Sequence, residues 1–133
     1  MTVRIKQLDH VNVRTADLDG MIKWYGEMLG MRSGDRPDFP FPGAWLYAGD
    51  HPVIHLVGIE ATPGSDPDDL KLEHFALSAT GIAGLLERAK AADARYDVRK
   101  VPGFPIVQVN LWDPDGNHIH IDFDAAEAEA AGI

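Results

Sequence analysis

The sequence predicts an α+β fold in which two β-α-β-β-β modules form a cup-shaped mixed sheet with helices on its outer face. The main observation is an internal repeat. Leu8-Asp9-His10 returns as Leu72-Glu73-His74, at an offset of 74 − 10 = 64 residues. Ile54-His55-Leu56 returns as Ile119-His120-Ile121, at 120 − 55 = 65 residues. A nearly constant offset across most of each half is typical of a duplicated unit.

Module one covers about residues 5–58. Alternating residues predict a strand at 5–13, and Asp17 can cap a helix that runs to about Leu29 and ends at Gly30. The rest of the module is predicted as strands at 31–36, 44–48 and 53–58, with a turn at Ala48–Pro52 and an irregular, proline-rich stretch at 37–43.

Module two covers about residues 71–123 and follows an acidic linker, about 59–70, that is rich in Pro and Gly. Its predicted elements are a strand at 71–78, a helix at 81–92, and strands at 95–101, 106–112 and 118–123. Asp113-Pro114-Asp115-Gly116-Asn117 predicts the turn before the last strand. The tail, 124–133, is predicted as a frayed helix or disordered, with no function.

The composition restricts the class of protein. At 133 residues, 45% hydrophobic and 25% charged, the chain can form one domain (1–133) with a real core. A net charge of −9 disfavours nucleic acid and anionic membranes as partners. Cysteine is absent, no apolar run approaches a membrane span, and the N-terminus lacks a signal-peptide pattern. We therefore expect a cytoplasmic protein.

The repeated histidines predict a metal site. Because side chains alternate along a strand, His10, His55, His74 and His120 all fall on the face opposite the apolar residues that the helices cover. Four imidazoles that converge in one cup suit one divalent ion such as Zn, Ni, Fe, Co or Mn. Four ligands on a six-coordinate ion leave two positions for water or substrate.

Other polar residues share these strands. His118 and Asp122 lie on the same face as His120 and are candidate proton-transfer groups, groups that support the metal ligands, or merely polar residues that line the cup. His51 lies in a predicted turn and is expected to be an ordinary hydrogen-bonded histidine of the surface or the core.

These residues resemble the vicinal oxygen chelate superfamily, which includes glyoxalase I, fosfomycin-resistance proteins, extradiol dioxygenases and bleomycin-binding proteins. The matching pieces are the two histidine-containing strand starts, Leu8–Val11 and Leu72–Phe75, and the segment Asp113–Ile121, which is similar to the family's DPDGN-x-I-E-[LI] strand. The resemblance implies paired βαβββ modules of the glyoxalase/bleomycin resistance/dioxygenase fold. It also implies a metal that chelates two neighbouring substrate oxygens.

The resemblance implies metal-ligand roles for His10, His55 and His74, while His120 stands where the family usually has a glutamate. A histidine there leaves the ion at full charge and removes one base, so a proton would have to move through His118, Asp122 or a metal-bound hydroxide.

Alternation also predicts a substrate pocket. Its expected lining is aromatic and polar, and Arg14 or Arg99 could hold a carboxylate. The alternative is that the aromatic residues complete packing or a dimer interface. The candidate substrate-binding residues are Phe39, Phe41, Trp45, Tyr47, Arg99, Gln108, Asn110 and Trp112.

Three functions are consistent with this sequence. The first is a metal-dependent, glyoxalase-like lyase or isomerase that acts on a small oxygenated substrate. The second is an Fe(II) ring-cleaving dioxygenase, which the aromatic residues favour and the missing glutamate disfavours. The third is a non-catalytic binder of an antibiotic or another small molecule. Family members often dimerise and share cups between chains, so we expect a homodimer.

Overall fold

The computed structural model of the chain describes residues 2–133. Its first half consists of β1 (Val11–Thr15), α1 (Leu18–Leu29), β2 (Arg32–Gly34), β3 (Gly43–Ala48) and β4 (His51–Gly58). These strands form one sheet in the order β1-β4-β3-β2, in which β1 is parallel to β4 and the other pairs are antiparallel. The first strand begins at Val11 and not at residue 5, since residues 2–10 join no sheet.

The second half repeats this arrangement. It consists of β5 (His74–Ser78), α2 (Ile82–Ala91), β6 (Tyr96–Lys100), β7 (Ile106–Trp112) and β8 (His118–Asp124), followed by α3 (Ala125–Ala130). The strand order is β5-β8-β7-β6, again with one parallel pair, β5 with β8. The predicted α+β fold of two βαβββ modules is confirmed, with the eight strands divided between two four-stranded sheets.

Local interactions explain where the helices begin and end. Asp17 accepts a hydrogen bond from the backbone N–H of Gly20 at the start of α1, and Gly30 ends this helix with a left-handed φ of 68°. α2 begins after Gly81, whose N–H donates to Oε1 of Glu127 at 2.6 Å. The tail therefore forms a short helix that caps α2, and it is neither frayed nor disordered because Ala128 is buried in the core.

Both modules share one core. The buried residues of α1 and α2 pack with the inward faces of both sheets, represented by Ile54 and Leu56 on β4 and by Ile119 and Ile121 on β8. The alternate residues of the same strands therefore lie on the outer side of each sheet. Within residues 2–133, no helix is long and apolar enough to cross a membrane.

A buried hydrogen bond connects the modules. The hydroxyl of Tyr25, on α1, donates to Oδ2 of Asp113 at 2.7 Å, and both residues are buried. The Asp113 carboxylate also accepts from the backbone of Asp115 and Asn117 and from the Asn117 side chain, so it organises the turn before β8. Burial raises the pKa of Asp113, although the hydrogen bonds from Tyr25 and Asn117 oppose that shift.

We expect Tyr25→Phe to lower the free energy of unfolding by about 2 kcal/mol, because it leaves a buried carboxylate oxygen short of a donor. Urea unfolding followed by circular dichroism measures this difference. Tyr96→Phe is the matched control, since the Tyr96 hydroxyl makes no hydrogen bond within the described chain and its ring packs against the same core. Equal stability of the two variants would contradict the role of the Tyr25–Asp113 bond.

Candidate metal centre

Three histidines meet on the outer face of module two. His74 begins β5 and lies opposite His118 on β8, and His120 is the next residue along that face. One ring nitrogen from each histidine lies within 4.8 Å of the others. The rings of His74 and His120 stack with centroids 4.0 Å apart, while His118 is tilted against both. This is a compact cluster of nitrogen donors.

The hydrogen bonds divide these three histidines by role. Nδ1 of His74 contacts the Glu73 carboxylate, which leaves its Nε2 free, and His120 makes no hydrogen bond within the described chain. His118 has no free nitrogen, because Nδ1 donates to Glu73 at 3.0 Å and Nε2 faces Oδ1 of Asn110 at 2.9 Å. His118 would have to lose one of these partners to bind an ion, so His74 and His120 are the better ligands despite the proximity of all three.

A second cluster lies on the outer face of module one. The rings of His10 and His55 stack with centroids 3.7 Å apart, and Trp45 stacks on the other side of His55 at 4.0 Å. Nδ1 of His10 contacts Asp9 at 2.6 Å, and Nε2 of His55 donates to the carbonyl of Pro52 at 3.1 Å. Each of these histidines therefore keeps one nitrogen without a hydrogen bond.

The structure thus arranges the four repeated histidines as two pairs, His10 with His55 and His74 with His120. The single group of three or more candidate ligands in residues 2–133 contains His74, His118 and His120 and no histidine of module one. The reason is the shared core: each sheet turns its apolar face inward, so each pair lies on an outward face. One chain supplies two incomplete ligand sets.

The ionisation states suit metal binding. Burial, and then the positive charge of neighbouring histidines, lowers the pKa of both His55 and His120. Hydrogen bonds from His10 lower the pKa of Asp9, and those from His74 and His118 lower the pKa of Glu73. The lowered pKa values favour neutral imidazoles at His55 and His120 and ionised carboxylates at Asp9 and Glu73, which are the forms that coordinate a metal and support its ligands. The donors present fit a divalent ion of the zinc or nickel type.

A cavity of about 690 Å³ opens beside the module-two histidines. Four of the predicted substrate-binding residues line it: Arg99, Gln108, Asn110 and Trp112. Four further lining residues were not predicted from the sequence: Glu73, Arg95, Tyr96 and Asp97.

Arg95 and Trp112 form one wall of this cavity. The Arg95 guanidinium lies 3.6 Å from the centroid of the Trp112 ring, and that ring stacks on His118 at 4.8 Å. Arg99 is paired with Asp97 at 2.6 Å, whereas Arg95 forms no ion pair in the part of the chain described. Arg95 is therefore the cation that is more available to an anionic ligand. Arg95 and Asp97 alternate with Arg99 along the predicted strand 95–101, so the same reasoning that selected Arg99 could have indicated both.

The aromatic residues of module one extend its histidine cluster. Phe39 and Phe41 stack at 5.1 Å, and Phe39 lies 6.5 Å from Trp45, so these rings continue the Trp45–His55–His10 stack. Tyr47 lies elsewhere. Its hydroxyl donates to the carbonyl of Asp35, and its ring lines a depression on the module boundary. A register shift between Leu46 and Tyr47 interrupts the alternation on which the prediction for Tyr47 relied.

Asp122 does not line the histidine cavity. It lies in a neighbouring depression with Ser78 and Asp124, and its Oδ1 is buried with no hydrogen-bond partner among residues 2–133. His118, the other candidate proton-transfer residue, lines the histidine cavity itself.

Comparison with known proteins finds curated relatives of this chain. A lactoylglutathione lyase of Arabidopsis thaliana is 32% identical over 114 residues, which cover 80% of this chain and 40% of that protein. The chain thus spans about two-fifths of the length of this curated relative.

Two solved structures share the fold. A glyoxalase family protein of Bacillus anthracis superposes with a TM-score of 0.74 at 20% identity, covering 93% of this chain and 99% of that one. The trypanothione-dependent glyoxalase I of Leishmania major superposes with a TM-score of 0.65 at 24% identity, covering 96% of this chain and 94% of that one. The model of the Glyoxalase/Bleomycin resistance protein/Dioxygenase superfamily matches residues 7–121, and the chain belongs to this superfamily.

Proposed function

We propose that this protein is a divalent-metal-dependent, glyoxalase-like lyase or isomerase whose active site forms between two subunits. The observation that carries the proposal is the division of the histidines into two outward-facing pairs, in which each ring keeps at least one free nitrogen and each pair can therefore offer two ligands. Two nitrogens are too few for a firm site, whereas His10 and His55 of one chain with His74 and His120 of another supply four.

A homodimer follows from the same surfaces. In a two-fold dimer, module one of each chain meets module two of the other, which creates two identical sites. Apolar side chains stand exposed beside both histidine pairs, with Leu8 at 73% and Leu72 at 70% exposure, and each lies two residues before a candidate ligand. Burial of such residues in an interface is favourable, and it would also exclude water from the site.

In this proposal the bound ion supplies charge, and side chains of the protein transfer the proton. A bound divalent ion supplies positive charge that polarises adjacent substrate oxygens. His118 holds a proton between Glu73 and Asn110 at the cavity wall, and it can exchange that proton with a substrate that enters the cavity. Asp122, with its unpartnered oxygen, is a second candidate base, although substrate would have to reach the neighbouring depression.

Lactoylglutathione, in the name of the Arabidopsis relative, suggests the substrate class. Glutathione carries two carboxylates, and Arg95 offers a guanidinium without an ion-pair partner among residues 2–133 in the wall of the cavity. We infer that a thiol adduct of a three-carbon 2-oxoaldehyde is the first substrate to test. Isomerisation moves one hydrogen from C1 of this adduct to C2 and one proton from the C1 hydroxyl to the C2 oxygen, which converts the hemithioacetal into a lactoyl thioester without an oxidant.

We expect protein purified without chelator to form the thioester from glutathione and the 2-oxoaldehyde, and metal removal to abolish that activity. Ultraviolet absorbance of the thioester bond measures the rate, and elemental analysis measures the metal. Addition of Zn, Ni, Co, Mn or Fe(II) to the stripped protein should restore the rate. Protein that binds no metal would exclude the metal-dependent mechanism, whereas metal-loaded protein without thioester formation would exclude this substrate only.

A non-catalytic binding function is the second candidate, and a specific feature favours it. Phe39 and Phe41 are 40% and 41% exposed and continue the ring stack of Trp45 and His55, which suits a flat ligand. Tight binding of an aromatic antibiotic by the metal-free protein would support this function.

A ring-cleaving dioxygenase is less compatible with the site, since that chemistry uses two histidines and a carboxylate. The ligand group within residues 2–133 contains histidines alone.

A further inference from the structure

Each module has an acidic residue immediately before its first candidate ligand, and in both modules the acid contacts that ligand. Oδ2 of Asp9 lies 2.6 Å from Nδ1 of His10, and the Glu73 carboxylate contacts Nδ1 of His74. Adjacent residues of a regular strand point to opposite faces, so these contacts depend on the backbone at residues 9 and 73 lying outside β1 and β5.

Both acids also reach a second histidine at the start of the last strand of the module. Asp9 lies 3.4 Å from Nε2 of His51, and Glu73 lies 3.0 Å from Nδ1 of His118. These second histidines are not equivalent in the repeat, because His51 precedes His55 by four residues while His118 precedes His120 by two. The two modules thus reach similar arrangements from different sequence positions, although Nε2 of His51 donates its hydrogen bond to the backbone carbonyl of Asp9 at 2.8 Å, whereas His118 donates to the Glu73 carboxylate.

A carboxylate that accepts a hydrogen bond from Nδ1 has two effects on a histidine. It fixes the tautomer with hydrogen on Nδ1, and it restricts rotation of the ring, so the lone pair of Nε2 keeps one direction. We propose that Asp9 and Glu73 are positioning residues that orient His10 and His74 for metal binding through Nε2. This inference rests on the proposed metal site.

A purely structural role for these acids does not account for their placement. Their side chains are 69% and 64% exposed, and their ion-pair partners within residues 2–133 are histidines alone. An exposed ion pair contributes little to the stability of a fold. Removal of either carboxylate should therefore leave the fold intact and change the orientation of the histidine rings.

The test compares Glu73→Ala, Glu73→Asp and the control Glu87→Ala, which removes an exposed carboxylate from α2. The first readout is the ¹⁵N spectrum of the imidazole nitrogens in metal-free protein, which separates the two ring tautomers. The second is the Zn²⁺ dissociation constant, measured by competition with a chromophoric chelator. Asp9→Ala and Asp9→Glu provide the same comparison in module one.

We expect Glu73→Ala to release the His74 ring from its single tautomer and to weaken Zn²⁺ binding roughly 10–100-fold. Glu73→Asp should restore most of the affinity, because Asp9 makes the equivalent contact in module one with the shorter side chain. The positioning role is overturned if Glu73→Ala binds Zn²⁺ as tightly as Glu87→Ala, if its His74 tautomer is unchanged, or if Glu73→Asp is as weak as Glu73→Ala. Wild-type protein that binds none of Zn²⁺, Ni²⁺, Co²⁺, Mn²⁺ and Fe²⁺ would instead remove the proposed function, and the tautomer measurement alone would then decide whether Glu73 orients the His74 ring.

Discussion

Substitution of His120 by alanine is expected to weaken metal binding at least about a hundredfold, beyond the roughly 10–100-fold effect that loss of a supporting hydrogen bond has on metal affinity. His120 makes no hydrogen bond in the described part of the chain, and its ring stacks on His74 at 4.0 Å, so its free nitrogens serve no evident structural purpose. Competition with a chromophoric chelator gives the dissociation constant, and elemental analysis of the purified variant gives the stoichiometry.

His118→Ala is the matched comparison, because His118 lies two residues away on the same face of β8. Both of its nitrogens already have oxygen partners, so its loss should change metal affinity much less than the loss of His120. The reverse order of effects would identify His118 as the ligand and would show that an ion displaces Asn110 or Glu73 from it. Full metal occupancy in both variants would remove the module-two ligand assignment.

Much of the fold could be predicted because its determinants are local and occur twice. The near-constant offset between the halves identified the modules, and the cap at Asp17 with the left-handed Gly30 fixed α1 to the residue. Tail helix α3 was missed as an ordered element because its signal is not local. Its stability depends on burial of Ala128 and on the Glu127 cap of α2, and neither contact leaves a pattern within residues 124–133.

The site was harder to predict, for a geometrical reason. The alternation of side chains along a strand identifies which residues share one face of that strand. It placed His10 in module one and His120 in module two on equivalent faces, opposite the apolar residues. It does not say whether those faces point toward each other, since that depends on how two sheets share a core. A single core between the sheets separates the two pairs.

Two further departures arise where the chain leaves regular strand geometry. Tyr47 follows a register shift, and Asp9 and Glu73 lie outside β1 and β5, so alternation fails for these residues. One signal was nevertheless present. An acidic residue precedes the first histidine in both copies of the repeat, and a carboxylate beside a histidine ligand often accepts a hydrogen bond from its other ring nitrogen.

Mixed dimers provide the largest and most specific test of how the histidine pairs combine. One subunit carries His10→Ala with His55→Ala, and the other carries His74→Ala with His120→Ala. If module one of each chain meets module two of its partner, one site of the heterodimer loses all four histidines and the other keeps all four. We expect each parental homodimer to bind metal weakly at both sites, and the purified heterodimer to bind one ion tightly, about half of the wild-type content.

Two different affinity tags, neither of them a histidine tag, allow the heterodimer to be isolated after co-expression. Compared with either parental homodimer, the heterodimer should bind more metal, up to about half of the wild-type content per dimer. If the wild type forms the thioester, the rate of the heterodimer should recover to about half of the wild-type rate in parallel. A site built within one chain predicts the opposite, because each subunit of the heterodimer keeps its own defect and no full site returns. Light scattering that shows only monomers would exclude the shared site directly. The distinction matters chemically, because a shared site makes metal affinity depend on protein concentration, and dilution below the dimer dissociation constant should release the ion.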